Sequence, residues 1–205
     1  SQYIEFGGLP GLVKIGLEED DAREYQMDIY HTVLLKDVIM RNKIRNVTFL
    51  ENLVRFIADN TGKLISANSI AKFMKSQGEN VTSTVVSNYI KYLTEAYMIH
   101  QVNRYDIHGK RLFENNDKYY FEDHGIRNAL AGGSREGDIE KVIKNIIYQH
   151  LIYLGYTVTV GQLQAGEIDF VCTAKGGQRK YVQAAFIIAD ETTREREFGN
   201  LRAIK

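Results

Sequence analysis

Two carboxylates and an amide dominate the chemistry this sequence can do. Glu167 and Asp169 lie in Gly166-Glu167-Ile168-Asp169-Phe170, and Gln183 follows a short turn later. Both stretches read as strands. Residues two apart on a strand share a face, so Glu167 and Asp169 are expected to project together, with Ile168 and Phe170 packed behind them. A carboxylate pair suits a hard cation such as Mg²⁺. A bound divalent ion can polarise a phosphodiester and generate hydroxide. Gln183, on the next strand, would add a third polar group to that metal site.

A second constellation is built for contact. Thr82 or Ser83 caps a helix running to about Tyr97, with Val85, Val86, Ile90, Leu93 and Ala96 inward. Its outward positions are Ser83, Thr84, Ser87, Asn88 and Lys91. Such side chains can reach phosphates and base edges. Lys110 and Arg111 sit in an expected turn between strands Met98–Tyr105 and Lys118–Phe121, where a wing would touch a nucleic-acid backbone. A solvated helix face or a protein-docking surface would use the same residue types.

The elements that must position these residues follow from periodicity. Residues 18–45 read as a helix with acidic residues at its start. A second helix spans 48–60, with Thr48 as the expected cap, and a third opens at Ser66 and ends at Gly78. Three helices followed by a hairpin is the order of a winged helix-turn-helix. Residues 122–137, with four glycines, read as a boundary loop. A long helix over 138–154 buries Ile139, Val142, Ile143, Ile146, Ile147, Leu151 and Ile152. Strands at 156–162, 167–173 and 180–188 come next, then a helix from about Thr193 to the end. The fold class expected is therefore α+β and multi-domain. Residues 1–47 form an amino-terminal helical region, 48–122 a winged-helix-like domain and 135–205 an α/β domain that ends short of a closing strand.

Composition bounds the function. The chain has 205 residues, 26 basic and 26 acidic, and one cysteine. A single cysteine excludes a disulfide framework and a cysteine-rich zinc site, and Cys172 reads as a buried, inert thiol. Residues 61–118 hold eight basic against five acidic residues, while 1–60 hold seven against ten. That basic excess is modest for a nucleic-acid binder. No run reaches the ~18 apolar residues of a membrane span, and no signal peptide is visible, so a cytoplasmic protein is expected. The five histidines show no zinc spacing. The alternating run Thr193-Arg194-Glu195-Arg196-Glu197 reads as ion pairs on a helix start. Gly7-Gly8-Leu9-Pro10-Gly11 lacks the Lys-Ser/Thr of a phosphate loop and reads as a turn.

The helix, the strands and Glu167, Asp169 and Gln183 resemble a degenerate nuclease core of the restriction-endonuclease, PD-(D/E)XK, type. An active core carries a lysine two residues after Gln183, and Ala185 stands there. Lys144-Asn145 also stands on the preceding helix where a Glu-Asn pair is common. These departures imply a vestigial or weak metal site and no catalytic residue in this chain. Leu34-Leu35-Lys36-Asp37-Val38, Asn88-Tyr89-Ile90-Lys91-Tyr92-Leu93, Lys118-Tyr119-Tyr120-Phe121-Glu122-Asp123-His124-Gly125 and Gly166-Glu167-Ile168-Asp169-Phe170 together resemble the carboxy-terminal DUF4143 region of prokaryotic AAA-type ATPases. That resemblance implies an upstream P-loop ATPase domain, through which alone ATP would enter; this chain itself is expected to hold no cofactor. It implies a recognition or docking role toward DNA or a protein partner. A metal-dependent DNA nuclease and a protein-only interaction or oligomerisation module are the alternatives.

Overall fold

The computed structural model describes residues 2–16, 18–112, 116–132, 136–164, 166–186 and 190–204, with backbone alone for Glu136, Arg196 and Glu197. The described chain is mixed α and β. Helices α1 (Gln2–Phe6), α2 (Leu12–Ile15), α3 (Glu19–Val33, continued by a π-helical segment Leu34–Met40), α4 (Val47–Asp59), α5 (Ala67–Ser76) and α6 (Ser83–Glu95) come first. Strands β1 (Ile99–Val102), β2 (Arg104–Asp106), β3 (Arg111–Leu112) and β4 (Lys118–Phe121) follow. Then come α7 (His124–Leu130), α8 (Ile139–Tyr153), β5 (Thr157–Gln162), β6 (Glu167–Thr173), β7 (Arg179–Val182) and α9 (Glu191–Arg202).

Local chemistry sets the helix ends. Asn46, not Thr48, caps α4 by accepting the Phe49 N–H at 3.0 Å. Ser66 and Ser69 form a reciprocal capping box on α5, and Thr82 accepts the Val85 N–H at 3.3 Å on α6. Gly78 has φ +90° just past α5, the left-handed turn that glycine permits.

The expected winged hairpin is split. Strand β1 does pair antiparallel with β4, with Ile99 opposite Phe121. Between them the chain leaves that ladder: β2 turns back on β3 and pairs parallel with β5, Arg104 opposite Val160. The result is a two-stranded sheet and a five-stranded sheet ordered β3-β2-β5-β6-β7.

Strand β4 divides the interior. All four of its residues are buried. Alternation sends Tyr119 and Phe121 into a helical core with Phe49, Leu53, Ile57, Val86 and Leu93. It sends Tyr120 into a second core with Tyr148, Val160, Phe170 and Cys172. One strand thus serves as a wall of both cores.

The glycine-bearing stretch expected as a boundary loop contains α7, and α7 is a staple. Its polar side chains are buried and satisfied by backbone carbonyls. Arg127, fully buried, donates from Nε to Ala58 O at 2.9 Å and from a terminal nitrogen to Asp138 at 2.9 Å. Asn128 donates to Ile4 O and Glu5 O, and His124 bonds Tyr3 O at 2.6 Å. A Cβ at Gly125 would lie 2.1 Å from Phe6 O, so only glycine lets α1 pack here. The rest of that expected loop includes 133–135, outside the described residues.

Helix α8 buries Val142 and Leu151 as expected and adds Asn145 and Tyr148 to that face. Val142, Asn145, Tyr148 and Leu151 point inward, whereas Ile152 is 39 % exposed. Asn145 is fully buried. Its Oδ1 accepts the Phe121 N–H at 2.8 Å and its Nδ2 donates to Phe121 O at 2.9 Å. One side-chain amide therefore closes the free edge of β4 as a neighbouring strand would.

Asn145→Leu is expected to strand the Phe121 N–H, leaving Phe121 O to Gln149 Nε2 at 3.2 Å, and to cost about 1–3 kcal/mol, the penalty for one buried unsatisfied group. A urea unfolding curve with a lower midpoint and unchanged slope is the check.

Candidate functional site

Glu167 and Asp169 converge as expected, but the groups that meet them are cations. The Lys118 ammonium reaches across from β4, bonding Glu167 Oε1 and lying 2.9 Å from Asp169 Oδ1. Lys144, from α8, lies 3.2 Å from the same Asp169 oxygen and 2.9 Å from Glu140. The other oxygen, Asp169 Oδ2, accepts the Ala184 N–H at 3.2 Å. The Lys118 and Asp169 side chains are each only 2 % exposed, and Glu167 is 31 % exposed. Two ammonium groups therefore bridge three carboxylates, with Lys118 and Asp169 buried at the centre and Glu167 and Glu140 toward solvent.

Gln183 sits just beyond β7 and turns its amide oxygen to the Asp169 backbone N–H, at 3.1 Å. Glu167 pairs with Lys118 rather than with Arg179 or Lys180 across the sheet. Those two cations lie over the Tyr105 and Tyr156 rings, at 4.7 Å and 5.5 Å. Among the described residues, no group of three or more His, Cys, Asp or Glu side chains is arranged to hold a metal ion.

The faces of β6 also differ from simple alternation. Thr159 pairs with Val171 and Gly161 with Ile168, so β6 carries one extra residue there. This bulge turns Phe170 to the same side as Asp169. Its ring lies 5.7 Å from Tyr120, while Ile168 packs on the opposite core with Tyr105, Ile107 and Val171. Gly161 makes the bulge possible: a Cβ there would come within 2.9 Å of Ile107, Ile168 and Val171.

Burial by itself would raise the Asp169 carboxyl, but Lys118, Lys144 and the Ala184 N–H outweigh it, and its pKa falls below the ordinary 3.8. Burial would lower Lys144, but Asp169 and Glu140 outweigh that, and its pKa rises above 10.5. Burial, then the Asp169 and Glu167 charges, push the Tyr120 phenol well up. Cys172 is buried and its thiol rises to about 11, chiefly through burial, as an inert core thiol should.

The second constellation is grouped on α6. Thr84, Ser87, Asn88 and Lys91 are exposed and Ser83 is half-buried; Lys91 pairs loosely with Glu95 at 3.8 Å. Across a cleft of ≈ 250 Å³, Asn88, Tyr89 and Tyr92 face Asn42, Lys43 and Arg45 of the turn before α4. Those two cations were not among the expected contact residues. Their only signal was a basic end to the first long helix. Lys110 and Arg111 stand apart from α6, on the β2–β3 hairpin at the edge of the five-stranded sheet. Arg111 lies 3.6 Å from Asp106.

In the charge run of α9, Arg194 pairs with Glu191 at 3.7 Å and Glu195 with Arg202 at 2.7 Å. The side chains of Arg196 and Glu197 are outside the described residues. Asp190 caps this helix through the Thr193 N–H at 2.7 Å.

Lys118→Met is expected to leave two carboxylates short of a cation and to cost about 3–5 kcal/mol, the range for breaking a buried pair. Adding Asp169→Asn should recover part of that loss. The depressed Asp169 pKa makes its contribution full above the unfolded value near 3.8 and lost as pH falls through the folded value. Asp169→Asn should therefore flatten the acid limb of a stability–pH profile. The raised Lys144 pKa acts oppositely: its contribution is full below about 10.5 and lost as pH rises through the folded value.

The chain aligns over its whole length with an uncharacterised protein of Haemophilus influenzae at 31 % identity, covering 50 % of that protein. It aligns over 96 % of its length with an uncharacterised protein of Methanocaldococcus jannaschii at 23 % identity, covering 44 % of it. The chain thus spans about half the length of the curated relatives it matches. No solved structure matches it. No helix among the described residues is long and apolar enough to cross a membrane. The expected membership in the DUF4143 region of AAA-type ATPases is corrected by the family comparison, and neither relative carries an assigned activity. The matching model, over residues 1–137, is that of a domain of unknown function, DUF8612, and the chain belongs to that family.

Proposed function

We propose that this chain is a non-catalytic recognition module that contacts duplex DNA through α6 and the turn before α4. The observation that carries this reading is the exposed row Thr84, Ser87, Asn88 and Lys91 on α6, from which Asn88 faces Lys43 and Arg45 across an open cleft. Short polar side chains on a helix can read base edges, and flanking cations neutralise phosphates. The order α4-α5-α6 followed by the β1–β4 ladder is consistent with a winged-helix unit whose wing is drawn into the second sheet. On this reading the α8-β5-β6-β7 part is an endonuclease-like body that has given its acidic pair to architecture. Both Asp169 oxygens already have partners, and a Mg²⁺ ion would have to displace a buried ammonium.

A second reading rests on the same cluster. Lys118 and Lys144 bring ammonium groups to the carboxylates that Ala185 fails to serve, which is the charge pattern of a metal-dependent nuclease with its lysine moved.

Duplex binding followed by anisotropy separates the readings. Affinity should fall steeply between about 50 and 200 mM salt. Lys43→Ala/Arg45→Ala should reduce the salt slope by about two, near one per phosphate contact, with Lys110→Ala/Arg111→Ala changing it less. An intact probe in Mg²⁺ supports recognition. A cut probe that Asp169→Asn protects would establish the nuclease, and salt-insensitive or absent binding would remove DNA from the account.

A further inference from the structure

A groove among the described residues shares no lining residue with the cleft before α4 or with the ion cluster. It has a volume of ≈ 990 Å³ and is walled by Tyr3, Tyr97, Tyr148 and Tyr153, with Glu122 and Asp123 at its polar side. No Lys or Arg is among its described lining residues. Tyr148 is held from behind by stacking on Tyr120 at 4.6 Å, whereas Tyr153 and Tyr97 stand out at 85 % and 74 % exposure.

Tyr97 carries the argument. It follows α6 at the position where a helix closes with the Met98 N–H on Leu93 O and the Tyr97 N–H on Thr94 O, at 3.0 and 3.1 Å. That closure calls for a left-handed residue, usually glycine. Tyr97 has φ +54°, unfavourable for a bulky side chain. Its ring is mostly in solvent, so packing does not repay the strain. Backbone strain held at an exposed aromatic points to contact with something outside the fold.

We infer that this groove docks an arginine-bearing, extended peptide segment of a protein partner. Tyrosine faces attract a guanidinium and its flat fork stacks on them. Glu122 and Asp123 give the wall the opposite charge; the described lining holds no Lys or Arg, and its imidazoles are His100, bonded to Glu122, and His150. Asp123 already accepts the Gly8 and Ile126 N–H groups, at 2.8 and 3.0 Å, and Glu122 bonds His100. Their charges are therefore fixed in direction rather than free to swing away. Leu9, Ile146 and Ile152 line the same groove and supply apolar contact for the residues between arginines.

The test uses a fluorescein-labelled peptide alternating arginine with leucine, and a control with glutamate for arginine. Saturable binding of the first, at least tenfold tighter than the second, is expected. Tyr97→Gly should weaken it at least fivefold while leaving the thermal midpoint unchanged or higher, because glycine relieves the left-handed strain. Tyr153→Ala and Glu122→Gln should each weaken it as well. Equal affinity for both peptides, no saturable binding, or undiminished binding by Tyr97→Gly would overturn the assignment.

Discussion

A single buried ammonium group sets the terms for the rest of this fold. Lys118 is on β4, the strand that walls both cores, and its side chain is 2 % exposed. An isolated ion there would cost several kcal/mol of desolvation. It is tolerated because β6 brings Glu167 and Asp169 to it, and because α8 adds Lys144 to balance the second carboxylate. The β5–β6–β7 sheet must therefore dock in one register on β4, or charges are left unpaired. Apolar contacts between Tyr120, Tyr148 and Phe170 would tolerate small slips that this cluster does not.

The same logic governs the middle of the chain. Buried polar groups, not linkers, join its parts. Arg127, Asn128, His124 and Asn145 each bind backbone carbonyls or N–H groups from segments far away in sequence. Strand β2 then lies in the sheet built by residues after 157.

Much of this was legible in the sequence. The helices, their serine and threonine caps on α5 and α6, and strands β5 and β6 follow from periodicity and short-range hydrogen bonding. The long-range polar contacts do not. Asn145 looks like a surface residue until β4's open edge is known, so the expected inward face of α8 held Val142 and Leu151, which are buried, but missed Asn145 and Tyr148. Glycines over 122–137 suggested a loop, although Gly125 is there for close packing against Phe6. Alternation on β6 failed at its bulge, whose one local signal is Gly161 on the strand opposite. The carboxylate pair itself was plain, but its lysines lie 49 and 25 residues earlier than their partners and no spacing rule connects them.

A carboxylate pattern suited to metal chemistry thus serves as an ion-pair lock between two sheets. On this reading Lys118 and Lys144 hold the place a cation would take. Titrating Mn²⁺ into the protein at neutral pH in a calorimeter tests this directly. The account predicts no saturable heat, and none created by adding DNA. Stoichiometric binding that disappears in Asp169→Asn would contradict it.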